Sequence, residues 1–161
     1  MRDVITNMCS DVMSSVLPLL IPTANNLNKL EPDTDCYKLN PAQPSAHIMK
    51  KYSFLGYLIG WSLRNIGGLG LDIVPSFWNR VCGGPSYMYT LEDLKSMDWY
   101  KWNDLVQLKQ SAETLSSDDF DAVYADYFFA AVFDGTPELE LCEGGSAKAL
   151  KKDNVDEYIA L

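Results

Sequence analysis

Apolar residues recur at intervals of three and four in several segments of the chain, and this spacing predicts amphipathic helices. The first such segment covers residues 3–16. Proline begins the segment 75–81, where it suits the first turn of a helix, and Thr90 with an acid three residues later has the form of an N-cap. A further helix is predicted over residues 100–112, residues 116–119 are predicted to cap a short turn before Phe120, and Asp153 is predicted to cap a last helix.

The segment after the first helix does not continue it. Residues 17–22 hold two prolines around an apolar run, which excludes a helix and predicts extended chain or a short strand. Residues 23–47 are rich in Asn, Asp, Pro and Ser, and this composition predicts a loop.

The most apolar part of the chain is residues 50–66, which predict a helix with apolar side chains on nearly every side. A helix of that kind is expected to be buried all round. Gly56 and Gly60 lie four residues apart, where a missing Cβ lets a neighbouring helix approach, so we expect them to be packing positions. The glycines at 67, 68 and 70 are expected to end the helix.

Residues 124–141 change to an aromatic and β-branched pattern, with a turn signal at Asp134-Gly135. A second turn at residues 143–145 returns the chain towards Ala149 and Leu150. These signals predict a small antiparallel sheet, and the fold class is therefore α+β, mainly α. The last helix is cut off mid-pattern at Leu161, from which we expect the natural domain to continue.

Length and composition indicate an ordinary globular domain of 161 residues, with 47% hydrophobic and 22% charged residues. The net charge of -9 is uneven. Residues 1–84 hold 6 acids and 7 Lys or Arg, a net of +1, whereas residues 85–161 hold 16 acids and 6 Lys, a net of -10. This argues against a nucleic-acid or anionic-membrane surface. The excess of acids in the second half is explained either by solubility alone or by an acidic surface that binds a basic partner.

The four cysteines, at positions 9, 36, 82 and 142, form no C-x-x-C pair, and His47 is the one histidine. A zinc site needs four closely placed ligands, so we expect no metal and no cofactor. Unpaired cysteines favour a reducing compartment, cytoplasmic or nuclear. The N-terminus lacks the apolar core of a signal peptide, and the apolar run 54–63 is too short to span a bilayer.

The sequence shows no complete catalytic constellation. His47 has no acid near it and is expected to be a surface histidine. The acidic residues 118, 119 and 121 lack the glycine and distal glutamate of a calcium loop, and residues 67–70 do not form a phosphate-binding loop. Trp99, Tyr100 and Trp102 stand close together before a helix, and any of them left exposed would suit a protein interface.

Several segments together resemble a known family. LPLLIPTANN at 17–26, FLGYLIG at 54–60, TLEDL at 90–94 and GGSAKALKKDNVDEYI at 144–159 occur in the order found in a HECT-type ubiquitin ligase domain. Leu71-Asp72, Pro75 and Trp78 follow the second segment in the same order. The set is similar to the first part of the N-terminal lobe, closest to the very large ligases of the HERC type, and covers nearly the whole chain.

The resemblance implies that residues 1–161 are a partial HECT domain, the large subdomain of the N-lobe. The subdomain that binds the ubiquitin-conjugating enzyme would follow the DNVDEYI match, and the catalytic cysteine of the C-lobe lies in a T-C-F-like context. None of the four cysteines has that context, so no catalytic residue is carried over. In such ligases a cysteine takes ubiquitin as a thioester, which a substrate lysine then attacks.

The implied partners are ubiquitin, a ubiquitin-conjugating enzyme and substrate proteins. In some relatives an aromatic residue near the start of the helix after the TLEDL-like motif contacts ubiquitin, and Trp102 falls near that place. A core tryptophan is the alternative. The sequence thus predicts a ligase scaffold that is inactive alone, or alternatively a non-catalytic acidic interaction module or isoform.

Overall fold

The computed structural model describes residues 2–14, 16–17, 19–41, 45–65, 70–132 and 138–161, without the side chains of Arg2 and Asp3. The chain divides into two compact units, Met1–Trp99 and Tyr100–Leu161. Helices dominate both units and each holds a two-stranded antiparallel sheet, so the expected α+β, mainly α, class is confirmed.

The first unit contains five helices and two strands among its described residues. In chain order these are α1 (Arg2–Val12), β1 (Leu20–Pro22), α2 (Ala24–Asn28), β2 (Tyr37–Leu39), α3 (Ala46–Asn65), α4 (Pro75–Gly83) and α5 (Leu91–Met97), with a 3₁₀ turn at Gly84–Ser86. The second unit contains α6 (Trp99–Thr114, which begins at the last residue of the first unit), α7 (Ser117–Val123), β3 (Ala130–Ala131), β4 (Leu139–Glu140) and α8 (Val155–Ala160), with 3₁₀ turns at Gly145–Ala147 and Lys152–Asn154.

The strand predicted after the first helix is confirmed, but the loop predicted over 23–47 is wrong in part. Strand β1 pairs with β2 in antiparallel register, with Leu20 opposite Leu39. Helix α2 occupies part of the connection between them. Tyr37 also bridges to Ile73 in parallel, and its backbone N–H donates to the carbonyl of Asp72 at 2.6 Å. Parts of the expected loop are therefore held by backbone hydrogen bonds.

The core of the first unit lies under α1 and α3. Its buried apolar residues come from α1, from the chain at 19–20, from α3 and from residues 71–74: Ile5, Cys9, Val12, Leu19, Leu20, Leu55, Leu58, Leu71, Ile73 and Val74. The α1 residues of this core recur at spacings of four and three, as in an amphipathic helix. The apolar pattern over residues 3–16 is borne out only in part, because Val4, Met8 and Val16 are exposed.

The prediction that residues 50–66 are buried all round is wrong. Helix α3 buries one stripe, which includes Leu55, Leu58 and Ser62. On the rest of the helix Tyr57 is 78% and Leu63 is 73% exposed. The described neighbours cover only one side of α3, which leaves a large apolar surface uncovered. Residues 66–69 lie outside the described residues, and they include Gly67 and Gly68, two of the three glycines expected to end the helix.

The two glycines of α3 are not packing positions. A Cβ built on Gly56 or Gly60 would meet no described atom within 4 Å. Both glycines are exposed on the uncovered side of the helix. The physical reason given for them from sequence, close approach of a second helix, is therefore absent from the described part of the chain.

The second unit has its own core, formed by Leu108, Phe120, Phe129, Leu150 and Val155. The predicted sheet is confirmed: β3 pairs with β4 antiparallel, and Phe128 bridges to Ala149. The Asp134-Gly135 turn lies outside the described residues. The last helix begins after Asn154, and Asp153 lies in the preceding 3₁₀ turn, so the prediction that Asp153 caps this helix is wrong.

Candidate functional site

Trp102 is the residue that the sequence singles out for ubiquitin contact, and it lies on the first turns of α6. Its side chain is half-buried. The sequence correctly places it in a helix that follows the Thr90 cap. Two side-chain clusters of the first unit hold helix α5 and the backbone at Trp99, the residue at which α6 begins.

The first cluster caps α5, the helix that precedes α6. The Thr90 hydroxyl oxygen accepts from the Asp93 backbone N–H at 3.3 Å, while an Asp93 carboxylate oxygen accepts from the Thr90 backbone N–H at 2.8 Å. The same oxygen also accepts from the Thr90 hydroxyl at 2.9 Å and from the Tyr87 hydroxyl at 2.7 Å. This is the capping box predicted from the sequence, with a tyrosine added.

The acid of this capping box is buried, and its ionisation is therefore coupled to the fold. Burial alone would raise the pKa of Asp93, but the hydrogen bonds from Tyr87 and Thr90 together outweigh burial and lower this pKa. The same contact with the Asp93 carboxylate raises the pKa of Tyr87. The charged carboxylate is thus the form that the capping box stabilises.

The second cluster centres on Asn25, which is fully buried. Its side-chain oxygen accepts from the Trp99 backbone N–H at 2.7 Å. Its side-chain nitrogen donates to the carbonyl of Lys95 at 2.8 Å and to that of Pro32 at 3.0 Å. One amide thus ties the last turn of α5 and the first N–H of α6 to α2, using backbone groups that helix ends leave unpaired.

Thr23 holds Asn25 in place. Thr23 is fully buried, and its hydroxyl accepts from the Asn26 backbone N–H at 3.0 Å, which caps α2. Its own backbone N–H donates to the carbonyl of Cys36 at 3.2 Å. Thr23 and Asn25 belong to the motif at 17–26, but their function as helix cap and buried amide was not predicted. The available signal was Thr and Asn directly after an apolar run, a pattern typical of a cap.

Two cysteines, Cys9 and Cys36, have a raised thiol pKa, and neither is an activated nucleophile. Burial raises the pKa of Cys9, with the Gly70 backbone opposing it. Burial also raises the pKa of Cys36, and Asp33, Asp72 and Asp35 add to the effect. Because the thiolate is the reactive form, these environments disfavour nucleophilic attack. Cys142 is half-buried and Cys82 is exposed near the end of α4.

Asp119 and Asp121 act within the fold. Ser116 caps α7 by accepting from the Asp119 backbone N–H at 3.2 Å, and its hydroxyl donates to the Asp119 carboxylate at 2.6 Å. Asp121 accepts from the Lys152 backbone N–H at 3.1 Å. His47 is exposed on the first turn of α3, as expected for a surface histidine.

A search of the described residues finds no group of three or more His, Cys, Asp or Glu side chains that could hold a metal ion. Within the same part of the chain, no helix is both long and apolar enough to cross a membrane.

Comparison with known proteins gives concordant matches. The HECT-domain (ubiquitin-transferase) family matches residues 6–161. The chain is 29% identical over 119 residues to E3 ubiquitin-protein ligase HERC2 of Mus musculus and 28% identical over 119 residues to that of Homo sapiens, in each case 74% of this chain and 2% of the relative. It is 26% identical over 177 aligned residues to Probable E3 ubiquitin-protein ligase HECTD4 of Homo sapiens, 99% of this chain and 4% of the relative. The chain thus spans only a few per cent of the length of these relatives.

Proposed function

Because the chain belongs to the HECT-domain (ubiquitin-transferase) family, we propose that it is part of the N-terminal lobe of a ubiquitin-protein ligase. The observation that carries the proposal is the family match over nearly the whole chain, residues 6–161. The ligase names of the similar proteins support it. The complete protein would take ubiquitin as a cysteine thioester and pass it to a substrate lysine.

Within that ligase, residues 1–161 serve as a scaffold and hold no catalytic cysteine. None of the four cysteines is preceded by Thr and followed by Phe, the context expected for the catalytic residue. Burial raises the pKa of Cys9 and Cys36, which opposes a nucleophilic function for them. The scaffold function is to hold ubiquitin, the conjugating enzyme and the catalytic lobe within reach of one another.

A thioester assay tests this function. The 161-residue chain is incubated with ubiquitin, ATP, activating enzyme and a panel of conjugating enzymes, beside a complete HECT ligase as positive control. We expect no ubiquitin adduct that thiol reagents can reverse. An adduct that disappears in the Cys82→Ser variant would show that the chain has its own acceptor cysteine, and the scaffold proposal would then be withdrawn. Cys82→Ser is the first variant to make because this thiol is exposed.

Ubiquitin contact at Trp102 is the second part of the proposal. The half-buried ring lies near the start of α6. Titration of ¹⁵N-labelled chain with ubiquitin should shift amide signals around Trp102. The Trp102→Ala variant should lose those shifts while Tyr100→Ala, its neighbour on the same helix, keeps them. Shifts that persist in Trp102→Ala would exclude this site.

A non-catalytic acidic interaction module is the second candidate function, favoured by the net charge of -10 on residues 85–161. The two candidates differ in what the full transcript must encode. A ligase requires a second lobe with a cysteine in a T-C-F-like context after residue 161. A full-length transcript without such a lobe would refute the ligase and leave the interaction module, expected in the cytoplasm or nucleus.

A further inference from the structure

One cationic side chain of the second unit, Lys148, lies between an aromatic ring and a carboxylate. Its ammonium nitrogen stands 4.0 Å from the centroid of the Phe129 ring. The same nitrogen donates to a carboxylate oxygen of Glu157, on α8, at 2.5 Å. The face of an aromatic ring attracts a cation, and the attraction grows where water is excluded. Lys148 is thus held by two groups that both require its positive charge.

Phe129 is the fixed part of this arrangement. Its side chain is fully buried in the core of the second unit, directly before β3. Its backbone N–H donates to the carbonyl of Lys148 at 3.0 Å, and its own carbonyl accepts from the Leu141 N–H at 2.9 Å. Because the backbone and the ring of Phe129 are both held, the lysine side chain is the movable half of the contact.

Helix α8 meets the rest of the second unit at three neighbouring positions. Val155 is buried in the core, and the Tyr158 ring meets the Phe129 ring edge-to-face with the centroids 5.2 Å apart. Residues three apart share one face of a helix, and Glu157 borders that face. Helix α8 has only six residues, and a helix this short is unstable without tertiary contacts. Its order therefore depends on these three side chains.

A second lysine near α8 shows what distinguishes Lys148. Lys109, on α6, stands 4.0 Å from the Asp156 carboxylate, and these two side chains are 57% and 92% exposed. An ion pair as exposed as this contributes little to stability. The Lys148 side chain is only 35% exposed, and the ring of Phe129 adds a second contact that Lys109 does not have in the described part of the chain. Lys109 is therefore a matched control for Lys148.

We propose that Lys148 is a positioning residue whose charge locks α8 onto the second unit, so that Lys148, Phe129 and Glu157 form a charge-dependent latch. While the charge is present, the ammonium group joins the Phe129 ring to the Glu157 carboxylate. When the charge is removed, both contacts are lost and the last turn of α8 becomes mobile about Val155. Any modification that neutralises this lysine, such as acetylation, opens the latch.

The latch itself does not depend on the proposed ligase function, whereas its consequence rests on that function. In the longer ligase proposed above, the segment after α8 takes its direction from this helix, so the charge of Lys148 controls that direction. The experiment below measures the latch in the 161-residue chain alone. A failure of the ligase proposal in the thioester or transcript experiment would therefore leave the latch standing, and the reverse also holds.

NMR relaxation of the ¹⁵N-labelled chain tests the latch. In the parent chain we expect backbone order parameters of about 0.85 for residues 156–159, and nuclear Overhauser effects between the rings of Phe129 and Tyr158. Lys148→Met keeps the apolar stem of the side chain and removes the charge. In this variant the order parameters of residues 156–159 should fall below about 0.6, and the ring-to-ring signals should weaken. Lys148→Arg keeps the charge and should behave as the parent chain.

Two further variants separate the latch from a general loss of packing. Lys109→Met removes the same charge from the exposed ion pair and should leave α8 ordered. Glu157→Gln removes the carboxylate but keeps the cation over the ring, so it should lower the order of α8 less than Lys148→Met does. In every variant α6 and α7 should keep their order parameters, because Leu108 and Phe120 anchor these two helices in the core.

Several results would overturn the proposal. A mobile α8 in the parent chain would show that no latch holds it, and an α8 that stays ordered in Lys148→Met would show that the charge is not needed. Equal release of α8 by Lys109→Met would assign the effect to net charge. Loss of order throughout the second unit in Lys148→Met would make this lysine a general stabilising residue and not a latch.

Discussion

Asn25 is the buried side chain whose loss should most affect the start of α6. Its amide makes three hydrogen bonds, to the Trp99 N–H at 2.7 Å, the Lys95 carbonyl at 2.8 Å and the Pro32 carbonyl at 3.0 Å. The Asn25→Ala variant loses all three and leaves the backbone partners without them. At roughly 1 kcal/mol for each bond, the free energy of unfolding should fall by about 3 kcal/mol. That is a large share of the ~5–15 kcal/mol of a typical domain.

Urea unfolding followed by circular dichroism measures the loss. With an m-value of ~2 kcal/mol/M, the midpoint should fall by about 1.5 M. Hydrogen exchange adds a local measurement, since the Trp99 amide should be protected in the parent chain and exchange faster in the variant. Asn28→Ala is the matched control, because Asn28 is exposed and, among the residues that the structure describes, its side chain donates only to the Ala24 carbonyl of its own helix.

Asn25→Asp separates hydrogen bonding from packing. This variant has nearly the same shape and keeps the acceptor for Trp99, but it turns an oxygen towards the carbonyls of Lys95 and Pro32. It should therefore be at least as destabilising as Asn25→Ala. The reasoning would be refuted if Asn25→Ala cost no more than Asn28→Ala, or if Asn25→Asp were as stable as the parent chain.

Three further predictions follow from the same geometry. Gly145→Ala should destabilise the chain by about 2 kcal/mol in urea, because its Cβ would collide with the Phe129 carbonyl oxygen. Gly60→Ala should instead raise the free energy of unfolding by ~0.5–1 kcal/mol, because alanine has the higher helix propensity and its Cβ would contact no described atom within 4 Å. A lower urea midpoint for this variant would contradict the prediction. The pKa of Asp93 is lowered in the folded chain, so its stabilising effect is complete above the unfolded value of about 3.9 and is lost as pH falls through the folded value. Between pH 6 and pH 2 the free energy of unfolding should therefore fall less in the Asp93→Asn variant than in the parent chain. An equal fall in both would show that this carboxylate is not the group that titrates.

Local patterns predicted most elements of the fold. The 100–112 pattern corresponds to α6, Pro75 begins α4, and Thr90 caps α5. The small sheet near the end of the chain also follows from its aromatic and β-branched pattern. These features depend on neighbours within a few residues, which is the range over which caps, turns and periodicity act.

What the sequence could not predict depends on distant partners. The β1–β2 pair has only three residues on each strand, and its register requires a partner across a long connection. The exposure of α3 depends on how much surface the rest of the described chain covers, which periodicity does not reveal. For the candidate site, the position of Trp102 near the start of a helix was predictable. The function of Asn25 was not, because two of its three hydrogen-bond partners are 70 and 74 residues away.

That long separation has a consequence for how the chain folds. Contacts between residues far apart in sequence are costly to close, and they set the slow steps of folding. During synthesis, however, α2 and Asn25 emerge first, so the amide that receives α6 can be in place before Trp99 leaves the ribosome. A chain refolded from denaturant lacks this order, because all of its segments are free to fold at the same time. We therefore expect the Trp99 amide to become protected from hydrogen exchange more slowly when the chain refolds from denaturant than when it folds during translation.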